Sequence, residues 1–500
     1  MSDSAVDEQH GGINTFPEGP VEAILLWLTA PPTSPSEELA LLHDHVRAQR
    51  GAPIAILPEE IQHRAFKRLR RAFDELLPVL TEISLPISRK TRQMVRRILD
   101  ITAAFGCGDS LDSEERNGKA SSSIHPAPLA LVSLQRRLQA LHWHLLVSNL
   151  AATPAALGIW RCLHKMHEAI LAEQLDESAA AHVKSTYYSA VLLACAQPAS
   201  FTAAEVGFVT AYLDRYANEI EPLDSPTNGP AAFWIDRNQD CPAIACSRKS
   251  APQGTNAHYF SSSKLVALTK QKLAELDAGT SPEQIALPEY AGSRAGRGVL
   301  RRLIAYWGEP AKRRFPRRRQ SYRAVLCPGL PNLCRLLQPQ SPSAADVSTW
   351  MIINESPDGY AAMHVSGETG PIGVGDVVAM RTESSDHWQI CIVRWAVSEN
   401  QEHLEIGLQI LSTRAVPAIL ALPGTSGRKK VPVLLLPQVR VLCPIERIVV
   451  PAHMLDDAPG KIVLVIEKDN IEIREITGAE IHEQNSFVEV LSIEPAPLSV

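Results

Sequence analysis

No run of this sequence is long and apolar enough to cross a bilayer: the apolar stretch Ala23–Ala30 is short and stops at Pro31-Pro32. The opening residues, MSDSAVDEQHGG, are polar and acidic and lack the basic-then-apolar pattern of a secretory signal. Both absences place the chain in the cytoplasm, with no membrane insertion expected. A surplus of positive charge is also missing. Lys and Arg number 49 against 55 Asp and Glu, a net charge of -6, which excludes a protein that coats nucleic acid over its whole surface. A single basic patch inside an acidic chain remains compatible with that balance. The nine cysteines are odd in number and scattered, and several sit in apolar sequence, such as Cys195 in VLLACA and Cys391 in WQICIV. That usage excludes a disulfide framework and fits buried, reduced thiols.

Catalytic signatures are equally scarce. Gly424-Thr-Ser-Gly427-Arg-Lys-Lys lacks the spacing and the closing Lys-Ser/Thr of a phosphate-binding loop, and no Gly-x-Ser-x-Gly elbow occurs. His164 and His167 are three apart and could share a metal, with His142 and His144 about twenty residues earlier, but no cysteine or carboxylate set completes a ligand group. His43-Asp44-His45 lacks the remaining ligands of a metal-phosphohydrolase site, and Cys241 and Cys246 have no second pair. No catalytic residue, metal or cofactor is assigned, and the chain reads as a non-enzyme.

What is present divides into two textures. A chain of 500 residues is too long for one core, so two or three domains are expected. Residues 1–20 read as a disordered tail, and residues 21–307 as a helical domain. Ser34-Pro-Ser-Glu37 supplies an N-cap, a proline at the first helical position and a carboxylate at the capping-box position. Ile61, Ala65, Phe66, Leu69, Phe73, Leu76 and Leu77 form one helical face, and Leu131, Leu134, Leu138, Leu141 and Leu145 form another. Thr202-Ala-Ala-Glu205 opens a further helix with a second capping box. Gly108–Pro128 reads as a long loop, and Pro222–Asn256 as irregular with one short strand at AAFWI, Ala231–Ile235. Such helices must bury their stripes against one another, so a helical bundle is expected.

From Lys312 onward short strands follow turn signals: TWMII, AAMHV, DVVAMR, WQICIVRWAV and LEIGLQIL, then, after a break at Gly424–Lys430, VPVLLL, IERIVV, KIVLVIE, IEIREI and FVEVLSI. Many short strands at this spacing indicate a sandwich or barrel. The last five either complete that barrel or form a second small β-domain.

The densest charge is Lys312-Arg-Arg-Phe-Pro-Arg-Arg-Arg-Gln-Ser-Tyr-Arg323. By itself it reads as a solvated linker or a polyanion patch. About thirty residues later, directly after TWMII, comes Asn354-Glu-Ser-Pro-Asp-Gly359. Asn354 and Ser356 are two apart, on one side of an extended strand, and Pro-Asp-Gly is a turn. Arg319-x-x-x-Arg323 followed by Asn354-x-Ser356-x-x-Gly359 resembles the two-part signature of PilZ domains. GVGDVVAMR, ICIVRWAV and EIGLQIL resemble later strands of that barrel, so the resemblance covers roughly Lys312 to Leu411.

The two textures give a multidomain α-then-β protein with a helical bundle, a basic hinge at 308–323 and an additional C-terminal β segment at 431–500, and the resemblance implies a PilZ-like antiparallel β-barrel at 324–423. It further implies a receptor for cyclic di-GMP, with Arg319 and Arg323 clamping the ligand from a flexible segment and Arg318 as an ancillary contact. Asn354 and Ser356 would hydrogen-bond a guanine edge, and Gly359 would shape the turn. Arginine suits this ligand because its planar fork can grip a phosphate, pair with guanine O6/N7 or stack on a base. Arg317 and the Arg313-Arg314 pair read as solvated charge or backup phosphate contacts, and Glu355 as pointing away from the site. A protein partner is expected at the helical domain. The alternatives are an adaptor whose barrel binds only protein, or a nucleic-acid binder using the arginine run.

Overall fold

The computed structural model describes residues 34–48, 59–107, 131–225, 229–252, 257–310, 315–338, 346–398, 403–422, 429–439, 445–452, 454, 462–467 and 471–495. The expected tail at 1–20, the loop at Gly108–Pro128, the Arg313-Arg314 pair and most of the Gly424–Lys430 break lie outside the described residues; Lys429 and Lys430 belong to a strand.

The stripes read from sequence face one shared helical core. Helix α1 (Pro35–Ala48) precedes α2 (Glu59–Thr81), which buries Ala65, Leu69, Phe73 and Leu76, while Ile61, Phe66 and Leu77 pack at its margin. α3 (Arg89–Cys107) and α4 (Leu131–Leu150) follow. α4 is buried nearly all round, because Trp143 fills the side opposite its leucines and stacks against Phe66 and Phe73 at 5.3 and 4.8 Å. A helix apolar on every side must be central, and its neighbours surround it. α5 (Ile159–Leu171), α6 (Glu177–Cys195) and α7 (Ala203–Tyr216) complete the bundle. Both halves of the capping box at α7 form: Thr202 Oγ1 accepts from the Glu205 amide at 3.2 Å, and Glu205 Oε2 accepts from the Thr202 amide at 3.0 Å.

The segment expected to be irregular holds more order than its punctuation suggests. Strands β1 (Glu221–Leu223), β2 (Ala232–Asp236), β3 (Ile244–Ala245) and β4 (Ala257–Ser261) form a four-stranded sheet in the order β1-β4-β2-β3. Two of them, β1 and β3, are too short for an alternation to be visible in sequence. The sheet docks on the bundle through Phe233 and Phe260, and α8 (Ser263–Asp277) and α9 (Arg294–Gly308) close over it. No helix among the described residues is long and apolar enough to cross a membrane.

Strand β5 (Arg318–Pro328), the short helix α10 (Leu330–Leu336), and strands β6 (Ser348–Ser356), β7 (Gly359–Ser366), β8 (Val377–Thr382), β9 (Gln389–Ser398) and β10 (Leu404–Ser412) build a closed six-stranded barrel. Its strands are ordered β10-β7-β6-β5-β8-β9. Alternate residues fill it, with Trp350, Ile352, Val378, Met380, Val393 and Ile406 among those inside. The later strands do not join this barrel. β11 (Val416–Leu422), β12 (Lys429–Leu436), β13 (Arg447–Pro451), β14 (Ile462–Glu467), β15 (Ile471–Gln484) and β16 (Val488–Pro495) close a second one, ordered β11-β12-β13-β16-β15-β14. Strand for strand, its connectivity repeats that of the first barrel.

The two barrels share a core made from their outer faces. Ile390 and Ile392 of β9, Leu330 and Leu333 of α10, and Leu434 and Leu436 of β12 belong to one buried cluster. Cys391 and Val393 point into the first barrel, and Val433 and Leu435 into the second. Strands buried on both faces lose the polar half of the alternation, which is why WQICIV and VPVLLL read as unbroken apolar runs.

Candidate ligand-binding site

The β6–β7 hairpin projects from one end of the first barrel. Ser356 Oγ lies 2.7 Å from Asp358 Oδ1 and 3.1 Å from the Gly359 carbonyl, so its hydroxyl holds the turn in shape. The Ile410 amide donates to the Asp358 carbonyl at 2.9 Å and ties the turn to β10. Gly359 is required by close approach: a Cβ there would overlap the Leu408 carbonyl on β10.

Register brings the two halves of the motif together. Across β5 and β6, Arg318 pairs with Glu355, Arg319 with Asn354, and Arg323 with Met351. Directly paired residues place side chains on the same face of a sheet, so Arg319 stands beside Asn354. The structure therefore corrects the hinge expected at 308–323: Arg318, Arg319 and Arg323 are residues of a barrel strand. All three are exposed. An extra residue in β5 between Arg319 and Tyr322, and another in β6 between Ile352 and Asn354, make this end of the sheet kink.

Beside the hairpin lies an open cleft of about 260 Å³. Asn354, Ser356 and Gly359 line it, as do Arg317, Arg394 and Trp395. Arg318, Arg319 and Arg323 lie outside that lining, on the flanking strand. Arg317, read from sequence as solvated charge or a backup phosphate contact, lines the cleft. Glu355, expected to point away, also lines it, because the kinked hairpin end presents more than one side to the cleft. Its Oε2 accepts from the Tyr322 hydroxyl at 3.2 Å. Burial, with Glu355 close by, raises the Tyr322 phenol well above its usual range, so it remains a donor.

Two cleft residues escaped the sequence reading. Trp395 stands across from Gly407, and its indole occupies the space a Cβ at 407 would take. Arg394 is the extra residue of a bulge between β9 and β10, and its Nε donates to Gln409 Oε1 at 2.6 Å. Alternation alone misassigns both, since a bulge resets which side chains share a face. The signal available was the small residue Gly407 in an otherwise bulky strand, a mark of close approach.

The histidines set aside in the sequence belong to the helical core. His164 bonds Tyr187 Oη at 2.9 Å and the Cys241 carbonyl at 3.0 Å, and His144 meets the Leu99 carbonyl at 3.1 Å. Burial depresses His142 and His144 to about 4 and His167 to about 3, so their rings are neutral at pH 7. His43 bonds Asp100 at 2.9 Å. Among the described residues no group of three or more His, Cys, Asp or Glu is placed to hold a metal ion.

Comparison with known families supplies the identity. Residues 22–226 match the family described as cyclic-di-GMP receptor FimW, N-terminal domain. Residues 335–417 match cyclic-di-GMP receptor FimW, middle PilZ domain. The second match contains the Asn354–Gly359 turn, and the Arg318–Arg323 segment precedes it. No curated protein matches the chain. The two domains recur in the same order and together span more than half of the sequence, so the chain belongs to the FimW family of cyclic-di-GMP receptors and its first barrel is a PilZ domain.

Proposed function

We propose that this chain binds cyclic di-GMP in the cleft beside the β6–β7 hairpin and acts as a non-catalytic receptor in the cytoplasm. The observation that carries the reading is the register pair Arg319–Asn354 at the edge of a cleft lined by Asn354, Ser356 and Gly359. Asn354 offers both a donor and an acceptor to a guanine edge. Ser356 keeps a lone pair while its proton holds the turn. The indole of Trp395 provides a flat wall for a base, an interaction of about 1–3 kcal/mol. The cleft is smaller than the roughly 300–1,000 Å³ that enclose a whole ligand of this class. It therefore takes one part of the molecule, and the exposed arginines Arg318, Arg319 and Arg323 close on the phosphodiesters.

Two seams support a relay from this domain to the helices. The Ile372 amide donates to the Leu85 carbonyl at 2.9 Å, and the Ser398 amide donates to the Ala152 carbonyl at 2.7 Å. A protein partner would read the state of the helical region. Equilibrium titration of the full chain with cyclic di-GMP, beside a linear single-stranded dinucleotide, tests the binding. Saturable binding preferring the cyclic ligand is expected. Equal response to both, with a steep salt slope, would identify a generic polyanion patch instead.

A further inference from the structure

Arg394 touches more than the cleft. Its Nη1 lies 2.8 Å from Glu483 Oε1 on β15 of the second barrel, while its Nε holds Gln409. The side chains of Arg394 and Glu483 are 38% and 24% exposed, so solvent and a ligand can both reach this pair. Glu483 lies two residues before a turn wedged between the domains. There Asn485 Nδ2 donates to the Gly375 carbonyl of the first barrel at 3.1 Å, and Ser486 Oγ lies 3.1 Å from Tyr290 Oη of the helical region. Asn485 Oδ1 also accepts the amides of Phe487 and Val488, so the turn is organised by one side chain. Just beyond it, the buried carboxylate of Glu489 faces Arg294 at 3.4 Å.

One guanidinium thus stands between an open cleft and the point where all three regions meet. We infer that Arg394 couples them, an anionic group in the cleft competing with Glu483 for its charge and loosening the β15–β16 turn from the first barrel. The inference rests on the cleft being the cyclic di-GMP site. Its physical basis is that a phosphodiester drawn to Arg394 adds negative charge beside Glu483, which weakens the pair that Glu483 makes. Linkage then requires the reciprocal effect: weakening the Arg394–Glu483 pair must strengthen ligand binding.

The test is calorimetric titration of the full chain with cyclic di-GMP, using the wild type, Glu483→Gln, Arg394→Gln and the double variant. Glu483→Gln is expected to tighten binding about two- to fivefold, the scale of a partly exposed ion pair. Arg394→Gln should weaken binding, and the double variant should show no gain from the Glu483 change. Unchanged or weaker binding by Glu483→Gln overturns the coupling. A wild type that does not bind removes the ligand reading itself, a separate result. Hydrogen exchange supplies a second readout that does not depend on the variants folding. Ligand should speed exchange at the Phe487 and Val488 amides of the wild type, and equal or slower exchange there overturns the inference.

Discussion

The two barrels have the same strand connectivity and nearly opposite surfaces. Both fill their interiors with alternating aliphatic residues, and each contributes an outer face to the core between them. The first carries a tight hairpin, Ser356-Pro-Asp-Gly359, a glycine under a tryptophan and an arginine-rich leading strand. In the second, the segment leading into its first strand offers Arg414 alone, and β12 ends at Leu436 while β13 begins at Arg447, so the two are far more widely separated in the chain than Ser356 and Gly359. The same connectivity therefore carries different leading strands and different hairpins. The proposed binding groups of the first barrel sit on a hairpin end and a flanking strand, features that the shared connectivity does not specify.

The sharpest way to separate the barrels is through their cores. Trp350→Ala removes the largest side chain inside the first barrel and should cost about 3–5 kcal/mol. Leu464→Ala in the second barrel should cost about 2–5 kcal/mol. Denaturant unfolding followed by ligand titration reads both. Ligand affinity at low denaturant should fall more for the Trp350 variant, and an equal fall would show that the barrels act as one unit.

Next comes the hairpin. Gly359→Ala drives a Cβ into the Leu408 carbonyl and must part β7 from β10, so cyclic di-GMP binding should drop at least tenfold while the helical core keeps its melting behaviour. Isothermal titration beside far-ultraviolet melting checks this. Smaller still, Arg319→Ala and Arg323→Ala should each lose about 1–3 kcal/mol of binding. Arg414→Ala, at the start of the second barrel, should lose none. A comparable loss at Arg414 would mean that bulk charge binds the ligand.

The smallest effect near neutral pH contrasts the helical region with the barrels. His142, His144 and His258 are depressed to about 4 and His167 to about 3, all chiefly by burial. The unfolded chain takes up these protons near pH 6.5, and the folded one resists until pH 4 or below, so helical stability should fall as pH drops through that window. Asp376 of the first barrel acts oppositely. Burial raises it to about 6, so its contribution is lost as pH rises from about 4 to 6. Thermal melts from pH 7 to pH 5 should show the helical transition moving down further than that of the barrels.

Legibility followed the range of the interactions. Helix α2, the capping box at Thr202 and the turn at Pro357-Asp-Gly were readable because each depends on residues within one or two turns of chain. The four-stranded sheet was not, since β1 and β3 exist only because β4 and β2 lie alongside them. Arg394 and Trp395 were read merely as the end of a strand. Their roles depend on Gln409, Gly407 and Glu483, which the chain brings near only after both barrels close.

The sequence by itself determined the helical and β-rich halves, the order of the two motifs and the residue types that suit a phosphodiester and a guanine, because periodicity, turn chemistry and side-chain chemistry are local properties. Tertiary structure alone decided that the last strands close a barrel of their own, that Arg319 stands beside Asn354 rather than in a hinge, and that Arg394 faces both cleft and neighbour. Register, bulges and shared outer faces arise between strands distant in the chain, and no single segment encodes them.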